Sequence, residues 1–457
     1  MALTDLLKNL PEVQSPVEKK LSFNVKLKWT IIILVAFFVM SNIALYGADP
    51  GFLDQFEYLA VIMGTSFGSI ISLGIGPIVM ASIILQLLVG SQILNIDTSS
   101  PEGKKFFQGL QKLLVLFFIV FEALIYVFMG GIKATEGHMP VVIVQLVLGG
   151  LAILFMDEVC QKWGFGSGVS LFIAAGVGWR LVTALFGFLG TEGISGGLQP
   201  TGAIWQFAIG LMNADSQGAM LALAAILMTA GLFLAVVLAQ SLKIEIPLSY
   251  DRLRGYSVKW PLQFFYASVI PVILVSALLA NLQLFGGLLQ NWLGHPSFLG
   301  EIVEGRAVSG FLYWVSSTNV VRAIITGSWR WIYLFQTICH ILFYMFLAAV
   351  FSMFWVKTSG MDASSQAQNI LKSGLQIPGF RKDERILESI LKRYVAPLTI
   401  MGGLAIGFLA AFANILGTLT AGTSLLLGIM IIFQFYQNIA QQHAMDMNPA
   451  MKKMMGV

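Results

Sequence analysis

The sequence has few of the residues on which soluble enzymes and metal sites depend. Only 11% of its 457 residues are charged, whereas a soluble domain carries about 25%, so an ordinary globular enzyme is excluded. The two cysteines and four histidines are scattered without the spacing of a metal site. The motifs HExxH, Walker A and CxxC do not occur. No catalytic centre and no cofactor are therefore expected.

Long apolar runs dominate the chain instead, and 57% of its residues are hydrophobic. A membrane-spanning helix needs roughly 20 mostly apolar residues, and ten stretches meet that need. They are residues 29–46, 69–90, 112–131, 139–158, 167–189, 219–240, 264–285, 330–356, 397–417 and 422–441. The alternating ten-residue segments of a β-barrel are not found. The sequence therefore predicts an all-α polytopic membrane protein.

Basic residues are distributed unevenly between the two sides of the predicted spans. Ten spans place both termini on one side, and that side holds 22 of the 27 Lys and Arg residues. Because cytoplasmic segments are enriched in Lys and Arg, both termini are predicted to be cytoplasmic. Residues 1–28 show no cleavable signal peptide, and their apolar positions predict a short helix on the membrane surface. Residues 442–457 are predicted to be a cytoplasmic tail.

The segment 47–68 lies between the first two spans. Its amphipathic core, 52–63, is too short to cross a bilayer. One interpretation is an external amphipathic connector. The other is a re-entrant helix folded back into the protein, because a short helix at membrane depth must be buried in protein or line a cavity. In that case the small residues 64–68 would act as its hinge.

Spans two and seven resemble each other. GPIVMASIILQLL begins at Gly76 and IPVILVSALLANLQL begins at Ile270, and each has a proline followed five residues later by a serine. Each is the second span of a set of five, which predicts two inverted halves, 29–205 and 206–441, with the working site at their interface. Pro77 and Pro271 are expected to weaken these helices where they must move.

Aliphatic residues cluster beside these broken helices. Val79 and Ile273 each follow their proline by two residues, so the repeat predicts equivalent positions for them. Ile75 lies one helical turn before Val79, and Val169 and Ile173 repeat this four-residue spacing in span five. Ordinary packing against lipid or neighbouring helices would explain such residues. The adjacent glycine-rich breaks favour a central cavity.

Several motifs, in the same order along the chain, resemble the archaeal form of the SecY family, the channel subunit of the protein translocase. They are LGIGPIV, SIILQLLVGSQ, PEGKKFFQGLQK, GFGSGVSLFIAAGV, IPVILVSALLANLQL and GFRKDERILESILKRYVAPLT. The resemblance extends from the first span to the last. It implies ten helices in two inverted halves around a central pore, a re-entrant plug helix at about 52–66, and a seam between spans two and seven that opens laterally to lipid.

The resemblance also implies sets of site residues. The pore ring would be Ile75, Val79, Val169, Ile173, Ile273 and Leu427. The lateral gate would be Ser72, Gln86, Glu122 and Asn281. The plug would contain Phe52, Phe56, Leu59, Ile62, Met63 and Gly64. Family members often carry a small polar residue where this chain has Met80, so the polar part of the gate would depend more on Glu122, Asn281 and Ser72.

The function implied is a protein-conducting channel in the plasma membrane, which translocates unfolded polypeptides and releases hydrophobic segments into the bilayer. Implied partners are SecE-like and Secβ-like membrane subunits, signal sequences and nascent chains, lipids and the ribosome. Ribosomal RNA and proteins would bind the basic loops 241–263 and 357–397, through Arg252, Arg254, Arg381 and Lys382. A secondary transporter, which also has inverted repeats and broken helices, is the alternative. The scarcity of charged residues inside the spans argues against it.

Overall fold

The computed structural model describes residues 10–17, 21–49, 66–91, 93–94, 96, 100–188, 200–250, 257–303, 306–372, 375–376 and 383–447. Within these ranges, nine helices are long and apolar enough to cross a membrane. The helices are α1 Phe23–Ser41, α2 Gly76–Gly90, α3 Pro101–Phe128, α4 Met139–Trp163, α5 Gly168–Phe186, α6 Ala203–Met212, α7 Ser216–Ser241, α8 Ile270–Leu293, α9 Gly310–Val315, α10 Val320–Ile325, α11 Trp331–Thr358, α12 Ala363–Lys372, α13 Glu384–Ile415 and α14 Gly422–Met447.

Short strands accompany the helices. They are β1 Ala48–Asp49, β2 Lys133–Ala134, β3 Lys243–Tyr250, β4 Ser257–Gln263, β5 Ile302–Val303, β6 Arg306–Ala307 and β7 Leu375–Gln376. The predicted basic loop 241–263 is thus largely an antiparallel hairpin, in which Lys243 pairs with Gln263 and Ser249 with Ser257. Strand β7 adds to the free edge of β3. The architecture remains mainly helical.

One apolar core joins the long helices. It contains buried residues from α1 to α5, α7, α8, α11, α13 and α14. Helix α8 is the most enclosed of the spans, with 78% of its apolar window buried, compared with 11% for α1. Helix α2 packs against α3, α8 and α11, and α5 packs against α14. Helices α2 and α8, the two spans that resemble each other in sequence, therefore pack against each other.

The second predicted span, 69–90, is helical over only its last 15 residues. Residues 66–75 form successive tight turns, and the helix begins at Gly76. Gly74 has a φ of 53°, a left-handed conformation that glycine adopts at little cost and that ends the run of turns. The turns pack closely on α4, because a Cβ added at Gly149 would lie 1.9 Å from the carbonyl oxygen of Ile70.

The ninth span begins earlier than predicted. The sequence placed its start at Pro397, but α13 runs from Glu384 and contains Pro397 in its interior. Asp383 caps the helix by accepting a hydrogen bond from the Arg385 backbone N–H at 2.9 Å. The extra turns are stabilised by a second apolar core, in which Leu391 packs with residues of the β3–β4 hairpin, α11 and α12.

Residues 10–17 lie along the end of α4. The Val13 N–H donates to Glu158 Oε2 at 3.0 Å, and the Trp163 indole N–H donates to the Gln14 carbonyl at 3.0 Å. Lys162 pairs with Glu12 and holds the pKa of that carboxyl below its usual range. The surface helix predicted before this segment falls on residues outside the described ranges.

Candidate functional site

Helices α2 and α8 begin in the same way. Gly74 (φ 53°) and Ser268 (φ 59°) both adopt the left-handed conformation. In each segment the next residue is the N-cap and the proline takes the second helical position. Proline is tolerated there because its missing N–H would have no intrahelical partner. Pro77 and Pro271 therefore lie at the starts of these helices, and the expectation that they weaken them was wrong.

The pore-ring residues lie in the common apolar core. Five of the six are at least 95% buried, and all five belong to one cluster: Ile75, Val79, Ile173, Ile273 and Leu427. Val169 is partly buried and packs against the same cluster. The six side chains come from α2, the residue before it, α5, α8 and α14. The six residues thus belong to one apolar core, although the sequence separates the first from the last by about 350 positions.

The matched helix starts reveal one further aliphatic residue. Val79 and Ile273 occupy equivalent positions, two residues after their prolines. By the same alignment, Ile75 corresponds to Val269, which is the N-cap of α8 and is 3% exposed. Val269 was missed because it precedes the IPVILVS segment on which the comparison of the two spans depended.

Three predicted lateral-gate residues are buried polar groups on α2 and on two helices that pack against it, α3 and α8. Gln86 (α2), Glu122 (α3) and Asn281 (α8) are at most 3% exposed. The Asn281 amide donates to the Ala277 carbonyl at 3.0 Å. The Gln86 and Asn281 carbonyl oxygens and both Glu122 oxygens accept no hydrogen bond from any described residue. Burying such atoms unpaired is unfavourable, so this region is polar and incompletely stabilised.

Ser72 and Tyr126 change the composition predicted for this polar group. The Ser72 hydroxyl donates to the Ser69 carbonyl at 2.5 Å, so its hydrogen bond stabilises the turns before α2. Tyr126 lies one helical turn after Glu122 and is fully buried, and its hydroxyl has no hydrogen-bond partner among the described residues. Its position one turn from Glu122 in the sequence was the available signal for including it.

Close contacts join the two sides of what we call the seam, where α2 and α3 meet α8 and α11. A Cβ added at Gly90, the last residue of α2, would lie 2.3 Å from Cδ1 of Phe354 in α11. Elsewhere along the seam the Asn291 amide of α8 donates to the Met129 carbonyl, which follows α3, at 2.9 Å. Both contacts depend on tertiary packing, and the sequence does not indicate them.

The remaining predicted site residues lie outside the described ranges. They are the six plug residues and the four basic residues Arg252, Arg254, Arg381 and Lys382. Among the described residues, no group of three or more His, Cys, Asp or Glu side chains is placed to hold a metal ion.

Comparison with known proteins identifies relatives along the whole chain. The SecY family model matches residues 69–436, and a model for the plug domain of Sec61p matches residues 35–68. The protein translocase subunit SecY of Methanothermobacter thermautotrophicus is 42% identical over 98% of this chain and 97% of its own length. A solved protein-conducting channel has a TM-score of 0.83 and 36% identity, covering 99% of both chains. Sec61 from a canine ribosome–channel complex has a TM-score of 0.80 and 35% identity, also covering 99% of both.

Proposed function

Because the chain belongs to the SecY family, we infer that it is the protein-conducting subunit of a translocase, and we propose that the pore ring is its constriction. The observation that carries this proposal is the burial of aliphatic residues from α2, α5, α8 and α14 in one core, beside two helices that begin in the same way. On this proposal the chain itself has no catalytic role.

The chemistry of the pore ring suits a passage that must exclude ions. A narrow apolar constriction expels water, and an ion cannot pass without its hydration shell. Branched aliphatic side chains form no hydrogen bonds with a passing polypeptide, so they accommodate any sequence. A substrate site of a secondary transporter would instead need polar or charged groups at the centre, and the pore-ring residues provide none.

We assign the halves of the channel to residues 29–205 and 206–441. The repeated starts of α2 and α8 support this division, since each proline lies in the second span of its half. We assign the plug to residues 52–66, including the six residues that the resemblance indicated. The plug-domain match over residues 35–68 supports this assignment.

We assign the lateral gate to the seam. Its polar part comprises Gln86, Glu122 and Asn281, to which we add Tyr126. Ser72 lies in the turns before α2, and its hydroxyl is already bound to the Ser69 carbonyl. The unpaired oxygens of the polar part make the closed seam less stable than an apolar contact would be. A hydrophobic segment would therefore need less free energy to separate the two sides of the seam.

We place both termini in the cytoplasm and the protein in the plasma membrane. The asymmetric distribution of Lys and Arg supports this orientation. It puts the β3–β4 hairpin and the first turns of α13 on the cytoplasmic side, together with residues 10–17. Signal sequences, nascent polypeptides, membrane lipids and small SecE-like and Secβ-like subunits are the partners we propose within the membrane.

We propose that the cytoplasmic loops bind the ribosome. A structural relative, Sec61, comes from a ribosome–channel complex. Strands β3 and β4 hold the ends of the segment 251–256, which carries Arg252 and Arg254, and β7 brings the chain before Arg381 and Lys382 to the same sheet. Arginine and lysine suit contacts with RNA phosphates.

Reversing the charge of Arg252 and Arg254 to glutamate should weaken ribosome binding at physiological salt and reduce its salt dependence. Co-sedimentation of the purified protein with ribosomes over a range of salt concentrations measures both effects. The control is Arg306→Glu, which changes an exposed arginine on the opposite side of the membrane and should leave binding unaltered. Equal binding by the double variant and the parent would remove these arginines from the docking site.

Reconstitution tests the proposed function itself. The protein, purified with its co-eluting small subunits and placed in liposomes with ribosomes that translate a secretory chain, should deliver that chain to a protease-protected interior. The control chain has the same sequence without its signal segment. Flux of small solutes with no protein import would instead favour the secondary transporter.

A further inference from the structure

Asp157 is a buried carboxylate to which the proposed channel mechanism assigns no role. It lies in the last two turns of α4 and is 5% exposed. Its Oδ2 accepts a hydrogen bond from the Gln161 amide at 2.7 Å. Its Oδ1 faces the start of α5, the helix that carries Val169 and Ile173. A carboxylate inside a membrane protein is costly and usually has a specific task.

Asp157 accepts hydrogen bonds at the start of α5. Oδ1 accepts a hydrogen bond from the Val169 backbone N–H at 3.0 Å and is 3.4 Å from the Ser167 hydroxyl. Val169 is the second residue of α5, and the helix's own N-cap residue, Ser167, makes no side-chain capping bond. Asp157 thus supplies from α4 the bond that an N-cap side chain normally makes. Its negative charge also favours this end of the helix dipole.

Gly168 allows this close approach. A Cβ added at Gly168 would lie 2.6 Å from Cα and 3.0 Å from Oδ1 of Asp157. The first residue of α5 therefore sits directly on the backbone of α4, with the carboxylate beside it. This contact fixes both the height and the rotation of α5, and Val169 and Ile173 follow within its first six residues.

We propose that Asp157 is a positioning residue for the pore ring. By capping α5 from the neighbouring helix, it sets where Val169 and Ile173 stand in the constriction, and so how tightly the resting channel is sealed. This inference rests on the proposed function, because it assumes that the pore ring is the seal. It assigns Asp157 no contact with the translocated chain.

The adjacent residue Glu158 provides a matched control. It lies on the same turn of α4, but it pairs with Lys112 of α3 and accepts the Val13 N–H. Removing its carboxylate breaks an ion pair and a backbone hydrogen bond without touching α5. Glu158→Ala therefore shows the effect of losing interactions at this end of α4 that do not involve α5.

The test is the resting ion conductance of the full-length protein in planar bilayers, measured together with its thermal unfolding temperature. Asp157→Ala should raise the resting conductance several-fold. Asp157→Asn should keep the conductance of the parent protein. Its amide oxygen can accept from the Val169 N–H, and the Gln161 amide can turn so that its carbonyl oxygen accepts from the new N–H groups. Glu158→Ala should lower the unfolding temperature and leave the conductance at the parent level.

Two further variants, Asp157→Glu and Ile173→Gly, complete the test. Asp157→Glu keeps the charge but moves the carboxylate by one methylene, so it should also leak; it replaces the alanine variant if that protein does not fold. If Ile173→Gly leaks in the same bilayers, parent-level conductance in whichever of Asp157→Ala and Asp157→Glu folds overturns the inference. If Ile173→Gly is also tight, the assignment of the pore ring itself is wrong.

Discussion

Replacement of both Ile75 and Ile273 by glycine should raise the ion conductance of the resting protein by an order of magnitude or more. These side chains come from the two matched helix starts and are at least 95% buried in the same core. On the proposed assignment, removing both side chains widens the apolar constriction, so a water column can persist and carry hydrated ions. Single-channel recording without a translocating chain measures the effect, and each single variant should give a smaller increase.

A control on the same helices separates a leaking seal from a loosened fold. Ile83 in α2 and Leu284 in α8 are as deeply buried as the two ring residues but belong to neither the pore ring nor the lateral gate. Glycine at these helix-interior positions costs additional helix stability, about 0.5–1 kcal/mol each. Ile83→Gly/Leu284→Gly should therefore lower the unfolding temperature without raising the conductance. Equal leakage from both double variants would remove the special role of the pore ring.

Hydrophobic pattern predicted most of the fold, since long apolar runs have few stable alternatives to spanning helices. Four proposed pore-ring residues, Ile75, Val79, Val169 and Ile173, were predicted from their four-residue spacing beside glycine-rich segments. Leu427 needed the family resemblance, because nothing in its own helix distinguishes it from the neighbouring leucines. Boundaries were less predictable: the start of α13 depends on an apolar core that α13 forms with the β3–β4 hairpin, α11 and α12.

Contacts between helices were not predictable from a single sequence. Asp157 resembles any charged residue near the end of a span until the structure shows its partner, a backbone N–H twelve residues further along the chain. Gly90 likewise resembles any glycine at a helix end in the sequence, and only the structure shows that Phe354 lies against it. Such residues act through contacts that only the three-dimensional structure shows, whereas four of the proposed pore-ring residues also have a regular spacing in the sequence.

The two ends of the seam are held by different contacts. A hydrogen bond from Asn291 to the Met129 carbonyl joins α8 to the end of α3, whereas the Phe354 ring rests against Gly90 without a polar bond. Between them lie Glu122 and Asn281 with unpaired oxygens. A hydrogen bond has a directional geometry and apolar packing does not. We therefore expect the seam to open first at the Gly90 end, with the Asn291 end as the hinge.

A disulfide between cysteines at positions 90 and 354 should abolish insertion of hydrophobic segments, and a reductant should restore it. The Cβ position at Gly90 is 2.6 Å from Cγ of Phe354. Because Cγ is bonded to Cβ, the two Cβ atoms are at most about 4 Å apart, which does not exceed the ~3.5–4.5 Å separation of a disulfide. The bond would hold the backbones within about 7 Å, whereas a helical segment is about 10–12 Å across. Gly90→Cys/Phe354→Cys is made after Cys160 and Cys339 are replaced by alanine.

A second disulfide, placed within one proposed half, shows whether cross-linking alone is harmful. A Cβ at Gly150 in α4 would lie 2.8 Å from Cγ2 of Ile119 in α3, so Gly150→Cys/Ile119→Cys offers similar proximity without bridging the seam. Oxidation of this pair should leave insertion into liposomes intact. Both disulfides are verified by the shift of the non-reduced protein on a gel.

If the protein cross-linked between 90 and 354 inserts segments as well as its reduced form, the lateral gate lies elsewhere. Loss of insertion only in that variant places the exit to lipid between α2 and α11, since a covalent bond there blocks separation of the two sides and leaves the pore ring unchanged.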